Sequence, residues 1–139
     1  MKCNGRPLNC LAMLFDRSTR SLADHGCKDV AVVLSASTQP PISQIYLHSN
    51  SISSLGAEFL AAALLSLSAS GRAKGLSKLC LHENEIGDDG ACAVLESIRR
   101  VGLPSLIRLD LSSNCIGDRG AEASCAWESR PLQRTARSP

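Results

Sequence analysis

Apolar positions recur along this chain in a fixed frame. Two Leu or Ile residues stand three apart, a third follows two further on, then come an Asn, an Ile and a Gly-Ala pair. The frame reads ISQIYLHSNSISSLGA at residues 42–57, LSKLCLHENEIGDDGA at 76–91 and LIRLDLSSNCIGDRGA at 106–121. From Asn50 to Asn84 is 34 residues and from Asn84 to Asn114 is 30. A period of this size signals stacked units, none of which buries its apolar face alone.

Each copy predicts the same elements. Alternation of apolar and polar residues around Leu79 and Leu81 predicts a short, half-buried strand. The Gly-Ala pair then opens a run with apolar residues at Ala91, Val94, Leu95 and Ile98, the stripe of an amphipathic helix. Ala57, Leu60, Ala61 and Leu64 draw the same stripe, and so do Cys27, Val30, Ala31 and Leu34. That last set belongs to a degenerate earlier copy, in which Leu22 and Gly26 match but Ala12, Phe15 and Arg17 occupy the strand's Leu slots. Strand, turn, helix and return loop, repeated, place parallel strands in one layer and their crossover helices in another. The Ser- and Gly-rich stretch 66–75 and the pair Pro40 and Pro41 predict return loops.

The shared letters have structural explanations. Asn50, Asn84 and Asn114 carry amides that can satisfy buried backbone groups at a tight turn. Gly56, Gly90 and Gly120 stand where the turn meets the helix. Asp88, Asp89 and Asp118 fall at helix starts, where carboxylates suit the unpaired N–H groups and the dipole.

With these residues quoted, the copies resemble leucine-rich repeats of the ribonuclease-inhibitor type, as in ribonuclease inhibitor, NOD-like receptors and Ran GTPase activators. The resemblance is strong over 42–121 and extends over roughly residues 8 to 125. It implies an α/β solenoid, a short right-handed horseshoe segment of about three to four repeats, with strands on the concave face and helices on the convex one. The organisation expected is an N-terminal segment at 1–10 and a repeat domain at 11–127. The domain divides into a degenerate unit at 11–41 and units at 42–75, 76–105 and 106–127. A disordered basic tail follows at 128–139, with three Arg and two Pro. Glu128 and Pro131 interrupt the last helical stripe. An uncapped last unit predicts self-association, or a partial chain whose array once continued.

Composition narrows the function classes. A net charge of +2 and 3% aromatic residues give little basis for nucleic-acid binding. The N-terminal residues lack a secretory apolar run, and no stretch reaches transmembrane length. Seven cysteines, an odd number without a C-x-x-C pair, favour free thiols in a reducing, cytoplasmic setting over a zinc site. Cys27 and Cys125 fall on buried helical stripes, whereas Cys80 and Cys92 should face outward. No cofactor is implied. No G-x-S-x-G elbow or phosphate-binding loop occurs, so an enzyme is not expected.

Function should lie in the letters that differ between copies. Strand side chains alternate between core and open face, which predicts outward columns across adjacent strands. Gln44, Lys78 and Arg108 form one, Tyr46, Cys80 and Asp110 the next, and His48, His82 and Ser112 a third. Ser49, Glu83 and Ser113 stand beside the third. The expected function is a non-enzymatic module binding another protein on this face, with Tyr46 as an aromatic anchor. A metal at His48, His82 and Glu83 would lack a further strong ligand. His25 is expected on a surface turn. The resemblance also admits a small-GTPase regulator, although the basic tail departs from the acidic C-terminal segment of the Ran GTPase activators.

Overall fold

In the computed structural model, residues 23–35 and 42–128 are described. The N-terminal segment, the strand half of the degenerate first copy, the Pro40–Pro41 loop and the tail beyond residue 128 lie outside the described residues. The element order is α1 (Ala23–Ser35), β1 (Gln44–Tyr46), α2 (Ser54–Ala69), β2 (Lys78–Cys80), α3 (Gly87–Val101), β3 (Arg108–Asp110) and α4 (Asp118–Glu128). A 3-10 turn at Arg72–Gly75 precedes β2.

The three strands form one parallel sheet in the order β1-β2-β3. Register pairs Gln44 with Lys78 and Lys78 with Arg108, and Tyr46 with Cys80 and Cys80 with Asp110. Backbone pairing continues past the strand ends. Ser49 N donates to His82 O at 3.1 Å and Glu83 N to Ser112 O at 3.0 Å. The helices form the second layer, with α1 against α2, α2 against α3 and α3 against α4.

Between the layers lies the core. Ile45, Leu47, Leu79 and Leu81 come from the strand side, and Val30, Leu34, Leu60, Leu64, Val94 and Ile98 from the helical stripes; all are buried. Helix α2 has a neighbour on each side and buries more of its circumference, including Ala63 and Leu67. At the other end Leu109, Leu111 and Ile116 are only partly buried.

Each αL corner after a strand is built without glycine. Ser49, Glu83 and Ser113, the residues before the three asparagines, have φ of 57°, 55° and 54°. The left-handed region costs roughly 1–2 kcal/mol for a non-glycine residue, so neighbouring contacts must hold it. The buried asparagines do so across units. Asn84 Oδ1 accepts from Asn50 N at 2.9 Å and Ile52 N at 3.1 Å, while its Nδ2 donates to Leu47 O at 2.9 Å and Leu81 O at 2.8 Å. Asn114 repeats the arrangement, with Nδ2 donating to Leu81 O at 2.8 Å and Leu111 O at 2.9 Å.

The three glycines are required by close approach. A Cβ on Gly56 would stand 2.5 Å from Asp24 Oδ1 and 2.7 Å from Ile52 Cγ2. On Gly90 it would meet Ile86 Cγ2 at 2.7 Å and Ala57 Cβ at 2.9 Å, and on Gly120 it would collide with Ile116 and Asp88.

Several expectations are corrected. The Ser-rich stretch after residue 66 is not all loop, because α2 runs to Ala69. Leu67 is buried there, and Ser66 Oγ donates back to Ala62 O at 3.1 Å, inside the helix. Cys80 projects from the open face of β2 but is 3% exposed. Its short side chain sits on the central strand between Tyr46 and Asp110 of the adjoining strands. Cys125 is exposed despite its stripe position, since among the described residues α4 has a helix only on its α3 side. His25 is exposed as expected, but within α1 rather than on a turn.

Candidate functional site on the outer face of the sheet

The strands present their non-core residues on the face opposite the helices, and the predicted columns assemble in register. Tyr46 Oη donates to Gln44 Oε1 at 2.8 Å, which fixes the ring along β1. Arg108 Nη2 stands 3.2 Å from Asp110 Oδ2. Asp110 Oδ1 accepts from Ser112 Oγ at 2.7 Å and Ser112 N at 3.2 Å. The Ser112 hydroxyl is the main cause holding the Asp110 carboxyl below its ordinary value, against partial burial; Ser112 N–H, Arg108 and His82 add to it.

The third column closes into a stack. The rings of His48 and His82 lie 4.5 Å apart between centroids and 6° from parallel. Beside them Ser49 Oγ donates to Glu83 Oε2 at 2.7 Å, and His82 Nδ1 lies 3.7 Å from Asp110 Oδ2. All ten predicted partner-binding residues, Gln44, Tyr46, His48, Lys78, Cys80, His82, Glu83, Arg108, Asp110 and Ser112, therefore share this face. Cys80 is the exception in accessibility. Burial raises its thiol pKa, opposed by Arg108 and Lys78 and reinforced by Asp110.

Chemically the face offers paired charges, hydroxyls, two stacked imidazoles and one phenol over a three-strand width. It is an open face rather than an enclosed site. Among the described residues no group of three or more His, Cys, Asp or Glu side chains is arranged to hold a metal ion. None of the described helices is long and apolar enough to cross a membrane.

Residues 102–123 match a family model described as Leucine Rich repeat. The matched leucine-rich repeat segment holds β3, the Asn114 turn and the start of α4. Leucine-rich repeat domains generally mediate protein–protein interaction and are typically non-enzymatic. The parallel sheet with its helical layer fits the α/β fold of such repeats. No curated protein matches the chain.

Two structural carboxylates act across units rather than on the helix start at which the sequence places them. Asp88 lies in the first turn of α3, yet its Oδ1 accepts from Gly117 N at 2.7 Å and Gly120 N at 3.0 Å, at the start of the following helix. Asp24 does the same for α2, accepting from Ser53 N at 3.0 Å, Gly56 N at 3.1 Å and Ser53 Oγ at 2.7 Å. The Ser53 hydroxyl contributes most to holding Asp24 below its ordinary pKa, against burial, with Ser53 and Gly56 N–H and His25 adding. Ser54 takes the equivalent place in the second unit and instead donates to Ile86 O at 2.8 Å. A signal was present in the sequence: Asp24, Asp88 and Asp118 share one register position, and Ser54 alone breaks it.

Proposed function

We propose that this chain is a repeat solenoid of the ribonuclease-inhibitor type that binds another protein through the outer face of its sheet, as the concave face of the array. One observation carries the reading. Residues that differ between copies converge, in register across three strands, on one continuous polar face, while the letters the copies share are spent on the core and the turns. Curved repeat arrays use such extended faces for binding. Tyr46 is the aromatic anchor, and Lys78, Arg108, Asp110 and Glu83 supply charged contacts of both signs around it.

The test replaces Tyr46, Lys78 and Arg108 together by Ala and compares that variant with one altered on the helix layer, Glu58→Ala. A protein captured by the wild type and by the helix variant, but lost from the triple variant at unchanged circular dichroism, supports the reading. Retention by the triple variant with loss from the helix variant moves the site to the helices.

A second reading, self-association, is favoured by Ile107. This residue is 60% exposed next to β3, whose outer edge is unpaired among the described residues. An Ile107→Lys variant should shift any oligomer seen by light scattering towards monomer. An unchanged mass distribution would remove Ile107 from the interface.

A further inference from the structure

Charge is sorted along this chain, and the fold turns the sorting into two edges. Residues 66–82 and 97–109 carry six cations, Arg72, Lys74, Lys78, Arg99, Arg100 and Arg108, and no carboxylate. Residues 83–96 carry five carboxylates and no cation. The strands are parallel and each crossover helix runs back, so every strand starts at the edge where the helices end. All six cations share that edge, whereas Glu83, Glu85, Asp88, Asp89 and Asp118 stand at the opposite one, where helices begin. Return loops of neighbouring units meet at the basic edge: Lys74 lines a cleft with Val101, Gly102 and Leu103.

Part of the sorting has a structural cause. Arg99 and Arg100 close α3, where a helix C-terminus favours cations, and they share the Glu96 carboxylate. Arg72 Nη1 donates to Leu34 O, at the end of α1, at 2.8 Å. Lys78 and Arg108 have no such cause. Each opens a strand, and the two are paired in register on neighbouring strands, which lie about 4.8 Å apart. Lys78 Nζ has no hydrogen-bonding or ionic partner among the described residues. Arg108 gives Nη2 to Asp110 and keeps its remaining donors. Like charges side by side on adjacent strands repel, and an anion seated across both relieves that repulsion.

We propose that the strand-start edge of the sheet face seats an acidic segment of a protein partner, whose carboxylates pair with Lys78 and Arg108 while Lys74 flanks them. This assignment rests on the outer face being the binding surface and adds the chemistry of what binds there. Glu83, Glu85 and Asp110 lie further along the strands and repel negative charge from the rest of the face. The partner's acidic residues are therefore confined to one edge, and a long phosphate backbone crossing the face is disfavoured.

Fluorescence anisotropy with a short labelled peptide rich in Asp and Glu tests this on the full chain. Lys78→Ala combined with Arg108→Ala should weaken binding about fivefold or more at low salt, and added salt should weaken the wild type in the same direction. Arg99→Ala combined with Arg100→Ala should leave binding within about twofold, since Glu96 already occupies both. Circular dichroism should be unchanged in both. Equal or greater loss from the Arg99 and Arg100 pair would overturn the proposal, as would tighter binding of a single-stranded oligonucleotide or of phosphatidylserine vesicles. A protein captured by the wild type and lost from the Tyr46, Lys78 and Arg108 variant, with the acidic peptide left unbound, would keep the binding face and remove the acidic segment.

Discussion

Replacing Asp88 by Ala removes the acceptor of two backbone N–H groups that belong to the next helix, Gly117 N at 2.7 Å and Gly120 N at 3.0 Å. Loss of a helix-capping side chain costs about 0.5–2 kcal/mol, and hydrogen bonds to charged groups contribute about 1.5–3 kcal/mol each when well buried. Asp88 is half-buried and Gly117 is exposed, so water recovers part of the loss. The expected cost is about 1–2 kcal/mol. For a domain of this size that corresponds to a fall in Tm of roughly 3–10 °C.

Asp89 is the internal control. It sits in the same first turn of α3, but its described contact is an exposed ion pair with Arg119 at 2.9 Å. If these carboxylates act through the dipole of their own helix, Asp88→Ala and Asp89→Ala should cost the same. If the contact between units dominates, Asp89→Ala should cost less than half as much. Urea titrations followed by circular dichroism, with exchange at the Gly117 and Gly120 amides, separate the two; equal costs and unchanged exchange refute the capping argument. The reciprocal change is Ser54→Asp. It offers a carboxylate to α3, which has no side-chain cap bond, and should raise stability by about 0.5–1 kcal/mol.

Gly56→Ala should destabilise by about 1–3 kcal/mol through overpacking against Asp24 and Ile52, although Ala is the better helix former; a raised urea midpoint would contradict the close-approach account. The folded Asp24 and Asp110 carboxyls both titrate below their ordinary range. Their contribution is therefore present above the unfolded value near 3.8 and is lost as pH falls through the folded values. Asp24→Asn should flatten the acid limb of a stability profile from about pH 5 downward, through the unfolded value near 3.8 and below it, and an unaltered limb would count against it. Thiol alkylation should reach exposed Cys115 first, whereas Cys27, buried with its pKa pushed up to about 12, and buried Cys80 should react only on unfolding. Early labelling of Cys80, read by mass spectrometry, would show an open path to the centre of the sheet face.

Much of the fold was legible because the period of the apolar residues is itself a physical statement. Leu79 and Leu81 two apart, and Ala91, Val94, Leu95 and Ile98 at helical spacing, can each bury one face only as a strand and as a helix. The asparagines were legible as backbone partners, and the outward columns followed from strand alternation. What was not legible is whatever depends on a residue's neighbour in another unit. Cys80 has the pattern of an outward residue, yet it is buried on the central strand between Tyr46 and Asp110 of the adjoining strands. Cys125 has the pattern of a buried one, yet no described helix follows to cover it. Asp88 reads as serving its own helix start, yet its carboxylate lies against the helix that begins 30 residues later.

The sequence by itself determined the units, the face each strand and helix turns inward, and the residues left free to vary, because these follow from periods of two and 3.6 along one stretch of chain. Only the tertiary structure decided which unit each polar group serves. Stacking puts the Asn84 oxygen over the Asn50 turn and the Asp88 carboxylate over the Gly117 turn, and it brings His48 and His82 face to face. Those pairings depend on the offset between neighbouring units, a distance through space that no spacing within a single copy records.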